Sequence, residues 1–136
     1  MRAARWSPVA VAVLVLAGCG QRHGETQSST LHLTENDSGK SFTVRPDEAI
    51  VVTLESNRST GYRWEFAPAS QAMLGFRQVS HRYVAPTKSV PGAAGKEIWR
   101  FRPVGKGGAD LGFLYVLPSE RHQPPARNVD FSIAVG

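Results

Sequence analysis

Asn57-Arg58-Ser59-Thr60-Gly61-Tyr62-Arg63-Trp64 lies between two segments suited to extended backbone. Ahead of it, Ala49-Ile50-Val51-Val52-Thr53-Leu54 is rich in β-branched residues, which pack well on a pleated surface. Behind it, Tyr62, Trp64 and Phe66 place an aromatic at every second position, the period of a strand with one buried face. The run therefore predicts a hairpin connection. Asn57 is able to accept a hydrogen bond from the backbone two residues on, Ser59 and Thr60 add hydroxyls, and Gly61 supplies a positive φ at no steric cost. Most such clusters between strands are plain turns, so any larger role depends on what lies beside this one.

Working outward, period-two alternation continues along the chain and no segment carries a helical stripe. Predicted strands cover Leu31–Thr34, Ser41–Val44, Ala49–Glu55, Gly61–Phe66, Phe76–Val84, Lys96–Pro103, Ala109–Val116 and Val129–Val135. Their inward faces are expected at Ile50, Val52 and Leu54; at Tyr62, Trp64 and Phe66; at Trp99 and Phe101; at Leu111, Phe113 and Tyr115; and at Val129, Phe131, Ile133 and Val135. Trp64 and Trp99 fall on this apolar parity and are expected in the core. Short strands joined by Gly- and Pro-rich connections predict an all-β, immunoglobulin-like β-sandwich of about seven to eight antiparallel strands.

If successive strands alternate in direction, the Asn57–Thr60, Ala85–Gly95 and Leu117–Asn128 connections all fall at one end, and Ala67–Gly75 and Val104–Gly108 at the other. The second and third connections exceed the median of about 4–6 residues, and long loops on a rigid sandwich are where binding concentrates.

The beginning of the chain has a different character. Arg2 and Arg5 precede an apolar run from Val9 to Ala17, which ends in Leu16-Ala17-Gly18-Cys19. That run is shorter than the about 20 residues of a spanning helix and suits an export signal. Its last four residues resemble the lipobox of bacterial lipoproteins, which implies a signal peptide over 1–18 and a lipid on Cys19. Residues 19–29 then read as a polar, flexible tether, and 30–136 as one domain large enough to bury roughly two thirds of its unfolded surface. Cys19 is the only cysteine, so the domain must hold together without a disulfide. The expected location is the cell envelope, with the protein lipid-anchored to the outer membrane, because Gly20 stands where an Asp often retains lipoproteins at the inner one.

The formal charge of +5 includes Arg2 and Arg5, which would leave with the signal. A mildly basic exported domain suits anionic lipid or an acidic protein; no basic run or aromatic ladder points to nucleic acid. Lys88, Arg121, His122 and Arg127 lie near the three-loop end, either facing an acidic partner or forming a solvated rim with Glu120. No Gly-x-Ser-x-Gly elbow, phosphate-binding glycine loop or metal-spaced His pair occurs. His32, His81 and His122 are scattered over two strands and a loop, and His23 is in the tether, so surface histidines are expected rather than a catalytic base. Neither a cofactor nor a metal is expected, and the chain is expected to be monomeric and not an enzyme.

Asn57-Arg58-Ser59-Thr60-Gly61-Tyr62, followed by Arg63-Trp64, resembles the Asn-Pro-Thr-Thr-Gly-Tyr/Phe motif of the chagasin family, proteinaceous inhibitors of papain-like cysteine proteases. The family's second motif, Gly-x-Gly-Gly, matches Gly105-Lys106-Gly107-Gly108 literally, but at the wrong end by the direction count. The corresponding position is Pro91-Gly92-Ala93-Ala94-Gly95, with Ala94 where the family prefers glycine. The third, Arg-Pro-Trp, corresponds to Leu117-Pro118-Ser119, where only the proline is kept.

The resemblance implies a non-covalent inhibitor whose first loop enters a protease cleft while Gly92, Ala93, Ala94, Gly95, Leu117, Pro118 and Ser119 grip its walls. Small residues at Ser59, Thr60 and Gly61 allow close backbone approach, and preformed loops lose little entropy on binding. Arg58 in place of proline is expected to make the first loop less preorganised. The loss of tryptophan at Ser119 motivates an alternative: the same scaffold serving as an envelope binding module with another partner. A structural lipoprotein without a binding site is the third reading.

Overall fold

The computed structural model describes residues 28–67, 70 and 75–136. The expected export signal, Cys19 and residues 20–27 of the expected tether lie outside the described residues. The strands are β1 (Thr30–Thr34), β2 (Ser41–Val44), β3 (Ala49–Ser56), β4 (Arg63–Phe66), β5 (Phe76–Val84), β6 (Gly95–Pro103), β7 (Gly107–Val116) and β8 (Arg127–Val135). They form two four-stranded sheets with orders β1-β3-β6-β5 and β2-β8-β7-β4. The all-β sandwich expected from alternation is what the chain forms.

The expectation of purely antiparallel sheets is corrected: β1 pairs parallel with β3, and β2 parallel with β8. The cause lies in chain order. Successive strands do alternate in direction, so two odd-numbered strands that become neighbours, or two even-numbered ones, must run the same way. β1 and β2 each join the sheet opposite to the next strand in sequence, which places them beside β3 and β8. The direction count depended only on alternation and is unaffected.

The core is built from the inward parity of both sheets. Ile50, Val52, Leu54 and Phe101 face Leu111, Phe113 and Phe131, all fully buried. At about 1.5–3 kcal/mol per large apolar side chain, this burial is what opposes chain entropy where no disulfide is available. Phe66 closes the sandwich between the sheets, edge-on to Trp99 at 4.8 Å and tilted against Phe113 at 5.1 Å. Trp64 and Trp99 are core residues, 2% and 5% exposed.

Strand β4 begins at Arg63 rather than at Gly61. The difference is local: Arg58–Thr60 forms a single 3-10 turn closed by Gly61 at φ +82°, and extension resumes only after that reversal. The Gly105–Gly108 glycines lie at the far end, where Gly107 and Gly108 open β7 opposite Val135 and Ala134.

Candidate functional site

Asn57 organises the first loop. Its carboxamide oxygen accepts from the Ser59 backbone N–H at 3.2 Å and from the Ser59 hydroxyl, capping the 3-10 turn. Thr60 Oγ1 donates to the Asn57 carbonyl at 2.7 Å. The Asn57 amide nitrogen Nδ2 reaches across to the carbonyl of Gly92, 3.3 Å away. One side chain thus shapes the first loop and ties it to the second.

The second loop, residues 85–94, turns at Gly92 with φ +81°. Ala93 donates its N–H to the Val90 carbonyl at 3.1 Å. Ala94, where the related motif has glycine, has no positive φ, so its backbone does not require one. Gly95 is the first residue of β6 rather than part of the loop, and its lack of a side chain has a packing reason. A Cβ there would stand 2.4 Å from the Val84 carbonyl oxygen and 2.5 Å from the Tyr83 hydroxyl. The G95A variant is therefore expected to lose about 2 kcal/mol of stability, since backbone and ring must both shift; the urea midpoint checks this.

The third loop, residues 117–126, joins the first through Leu117. Its Cδ1 lies 3.0 Å from where a Cβ on Gly61 would be, so Gly61 serves both the turn and this close approach. Glu120 donates its N–H to the Leu117 carbonyl at 2.9 Å, folding Pro118 and Ser119 into a turn in which Ser119 is exposed. Tyr62 leaves the first loop stacked on Tyr115, ring centroids 5.3 Å apart, and the Tyr115 hydroxyl accepts from the Asn57 N–H at 2.9 Å. The three loops meet at one end of the sandwich.

Arg58 does not leave the loop loose. Its guanidinium lies over the Tyr83 ring, 4.0 Å from the centroid, a cation–π contact that links the first loop to β5. This side-chain tie offsets part of the freedom that the missing proline leaves.

Beneath the loops is a buried polar junction that the strand reading passed over. Glu97 is 1% exposed, yet its carboxylate oxygens are occupied. Oε1 accepts from the Ser56 hydroxyl at 2.8 Å and lies 3.5 Å from the Trp64 backbone N–H, while Oε2 is 2.8 Å from His81 Nε2. His81 stacks flat on Trp99 with centroids 3.5 Å apart, leaving its side chain 29% exposed. Ser56 and Trp64 flank the first loop, His81 precedes the second and Glu97 follows it. The carboxylate is a common floor for both loops. A cavity of about 260 Å³ opens behind the first loop, with Arg58, Tyr62, His81 and Glu97 among its walls.

Ser, Glu and His together invite comparison with a nucleophile system, but the connectivity is wrong. The Ser56 hydroxyl donates to the carboxylate, not to the imidazole, and Ser56 is fully buried. An activated serine needs the base as its own partner and access to substrate. Among the described residues no group of three or more His, Cys, Asp and Glu is arranged to hold a metal.

Arg127, expected on the rim, is half-buried and tied down. It donates to both Glu35 carboxylate oxygens, at 3.0 and 2.8 Å, and to the Glu55 carbonyl at 2.7 Å, while lying over Tyr115. It braces the phenol that holds Asn57. Arg121 does stay at the rim, 69% exposed and 3.6 Å from Glu65. Parity would have found Glu97 and Ser56, since both continue the inward positions of their strands; nothing local marks Arg127, Tyr83 or His81.

The profile of the family described as chagasin family peptidase inhibitor I42 matches residues 43–135, more than half of the chain. The chain belongs to the chagasin family. The matched region runs from β2 through β8 and includes all three loops. Two solved structures share the chagasin fold with it. The cysteine protease inhibitor EhICP2 from Entamoeba histolytica is 21% identical, with a TM-score of 0.69 over 79% of this chain and 96% of that one. Amebosin, solved in solution, is 22% identical, with a TM-score of 0.60 over 79% and 98%. No curated protein sequence gives a significant match.

Proposed function

We propose that the protein is a reversible, non-covalent inhibitor of papain-like cysteine proteases, and that its three loops fill the active-site cleft together. The observation that carries this reading is the cross-tying of the loops: Asn57 to Gly92, and Gly61 against Leu117. Loops already held in one arrangement lose little freedom on docking, so more of the contact energy appears as affinity. The site offers a surface rather than a reaction, with small residues at its leading edge and no aligned nucleophile. Titration of papain or cathepsin L with the chain from Gly20 onward tests the reading. Absence of inhibition at micromolar concentration sinks it.

Asn57 gives a sharper test. The N57A variant loses the turn cap and the link to Gly92, and is expected to be about 1 kcal/mol less stable. Its inhibition should weaken by roughly tenfold, because the loops must now be ordered on binding. A variant equal to wild type in the inhibition titration would remove preorganisation from the mechanism.

Leu117-Pro118-Ser119 favours a second reading, the same scaffold acting as an envelope binding module for another partner. We further propose that the protein is exported and anchored through a lipid on Cys19, and that the sandwich acts as a monomer. Metabolic labelling with a palmitate probe, lost in C19A, tests the anchor; sedimentation equilibrium tests the monomer.

A further inference from the structure

The outer face of the β1-β3-β6-β5 sheet carries a concentration of positive charge that the inhibitor reading does not use. Residues opposite each other in a ladder point to the same side of the sheet. The register pairs Arg77 with Arg102, Ser80 with Arg100, Arg82 with Ile98 and Val84 with Lys96. Trp99 and Phe101 of β6 are buried inward, so these alternate rungs face outward. Four successive outward rungs each carry at least one cation, over roughly 20 Å of strand. Arg77, Arg82, Lys96 and Arg102 are exposed and Arg100 is half-buried.

Little on the face offsets this charge. Among the described residues none of the five is in an ion pair; the lysines and arginines that are paired, Lys40, Arg45, Arg121 and Arg127, lie elsewhere. The neighbouring β3 adds Val51, Thr53 and a single carboxylate, Glu55, opposite Lys96. Like charges directly opposite, as Arg77 and Arg102 are, destabilise a sheet. The face is broad and basic, with Val51 and Ile98 between the charges.

We propose that this face binds the anionic phospholipid headgroups of a membrane surface. Charge complementarity argues for a lipid plane, since cations spread over one sheet face meet many headgroups at once. This placement also suits the lipid proposed on Cys19, on which this part of the reasoning rests: ten residues, 20–29, span at most about 35 Å, and the sandwich begins at β1, the edge strand of this same sheet. With the face on the membrane, the three loops point along the surface and stay open to a partner. Lipid binding and protease binding therefore occupy different parts of the molecule.

The test uses the chain from Gly20 onward, which lacks Cys19 and keeps all eight strands. It is sedimented with vesicles of phosphatidylcholine alone and of phosphatidylcholine mixed with phosphatidylglycerol. Binding is expected only to the mixed vesicles and should fall steeply with salt. The R77Q/R82Q/R102Q variant should bind roughly a hundredfold more weakly. The control K88Q/K106Q/R121Q, with the same change in net charge, should bind as wild type does. Neither variant should melt below the wild type by circular dichroism, and R77Q/R82Q/R102Q, which touches none of the three loops, should keep the wild-type titration of papain, whatever that is. Equal losses in the two variants would reduce the effect to net charge and overturn the proposal. So would wild-type protein that pellets with neither vesicle, or equally with both.

Discussion

Replacing Glu97 with alanine should destabilise the sandwich by about 3 kcal/mol, the largest stability effect expected of any residue near the loops. Three consequences contribute. The Ser56 hydroxyl, fully buried, loses its acceptor, and an orphaned buried donor costs about 1–3 kcal/mol. His81 loses its carboxylate partner but keeps its stack on Trp99 and part of its exposure, so water recovers some of that bond. The excised side chain leaves a void beside Trp64. Large-to-small substitutions of buried side chains cost about 2–5 kcal/mol, and the partial exposure of His81 keeps the total at about 3 kcal/mol. The E97Q variant keeps the volume and one acceptor and should lose less than half as much. Urea unfolding of the three proteins measures this directly. An E97A stability within 1 kcal/mol of wild type would show that the junction does not hold the sandwich together. Inhibition by E97A should weaken even where the protein is fully folded, since Ser56 and Trp64 bracket the first loop and share that carboxylate.

The S119W variant should inhibit papain at least thirtyfold more tightly than the wild-type chain. A central aromatic at an interface contributes about 2 kcal/mol or more, and a factor of ten corresponds to about 1.4 kcal/mol. Ser119 is exposed at the turn of the third loop, so a larger side chain there displaces nothing from the core. Leu117 is better left in place, because it packs against Gly61 and ties the third loop to the first. The inhibition constants of the two proteins decide the matter, and they also separate the two readings of function. If the wild type is inert and S119W inhibits, the scaffold is competent and the natural partner lies elsewhere. If neither inhibits, the cleft-filling reading fails.

The strands were legible because each buries one face, so the inward set at Ile50, Val52 and Leu54, and again at Phe131, Ile133 and Val135, follows from parity alone. The first turn was equally legible, since Asn57 caps it and Gly61 closes it within a few residues, whereas their ties to Gly92 and Leu117 were not. The contact of Arg58 was not legible, because its partner, Tyr83, belongs to another strand. Glu97 drew no notice in the sequence, although its parity matched Trp99 and Phe101. A buried carboxylate is tolerated only where donors from other segments converge on it.

By itself, then, the sequence determined the all-β class, the alternating directions of the strands, and hence which three connections share an end. Those properties follow from period-two burial and chain order, which are local. Only the tertiary structure decided that β1 and β2 pair parallel, that Arg127 lies over Tyr115 while bound to Glu35, and that Glu97 underlies two loops. It also brought Arg77, Arg82, Lys96, Arg100 and Arg102 onto one face. Each of these depends on register and pairing between segments distant in sequence, which no local pattern encodes.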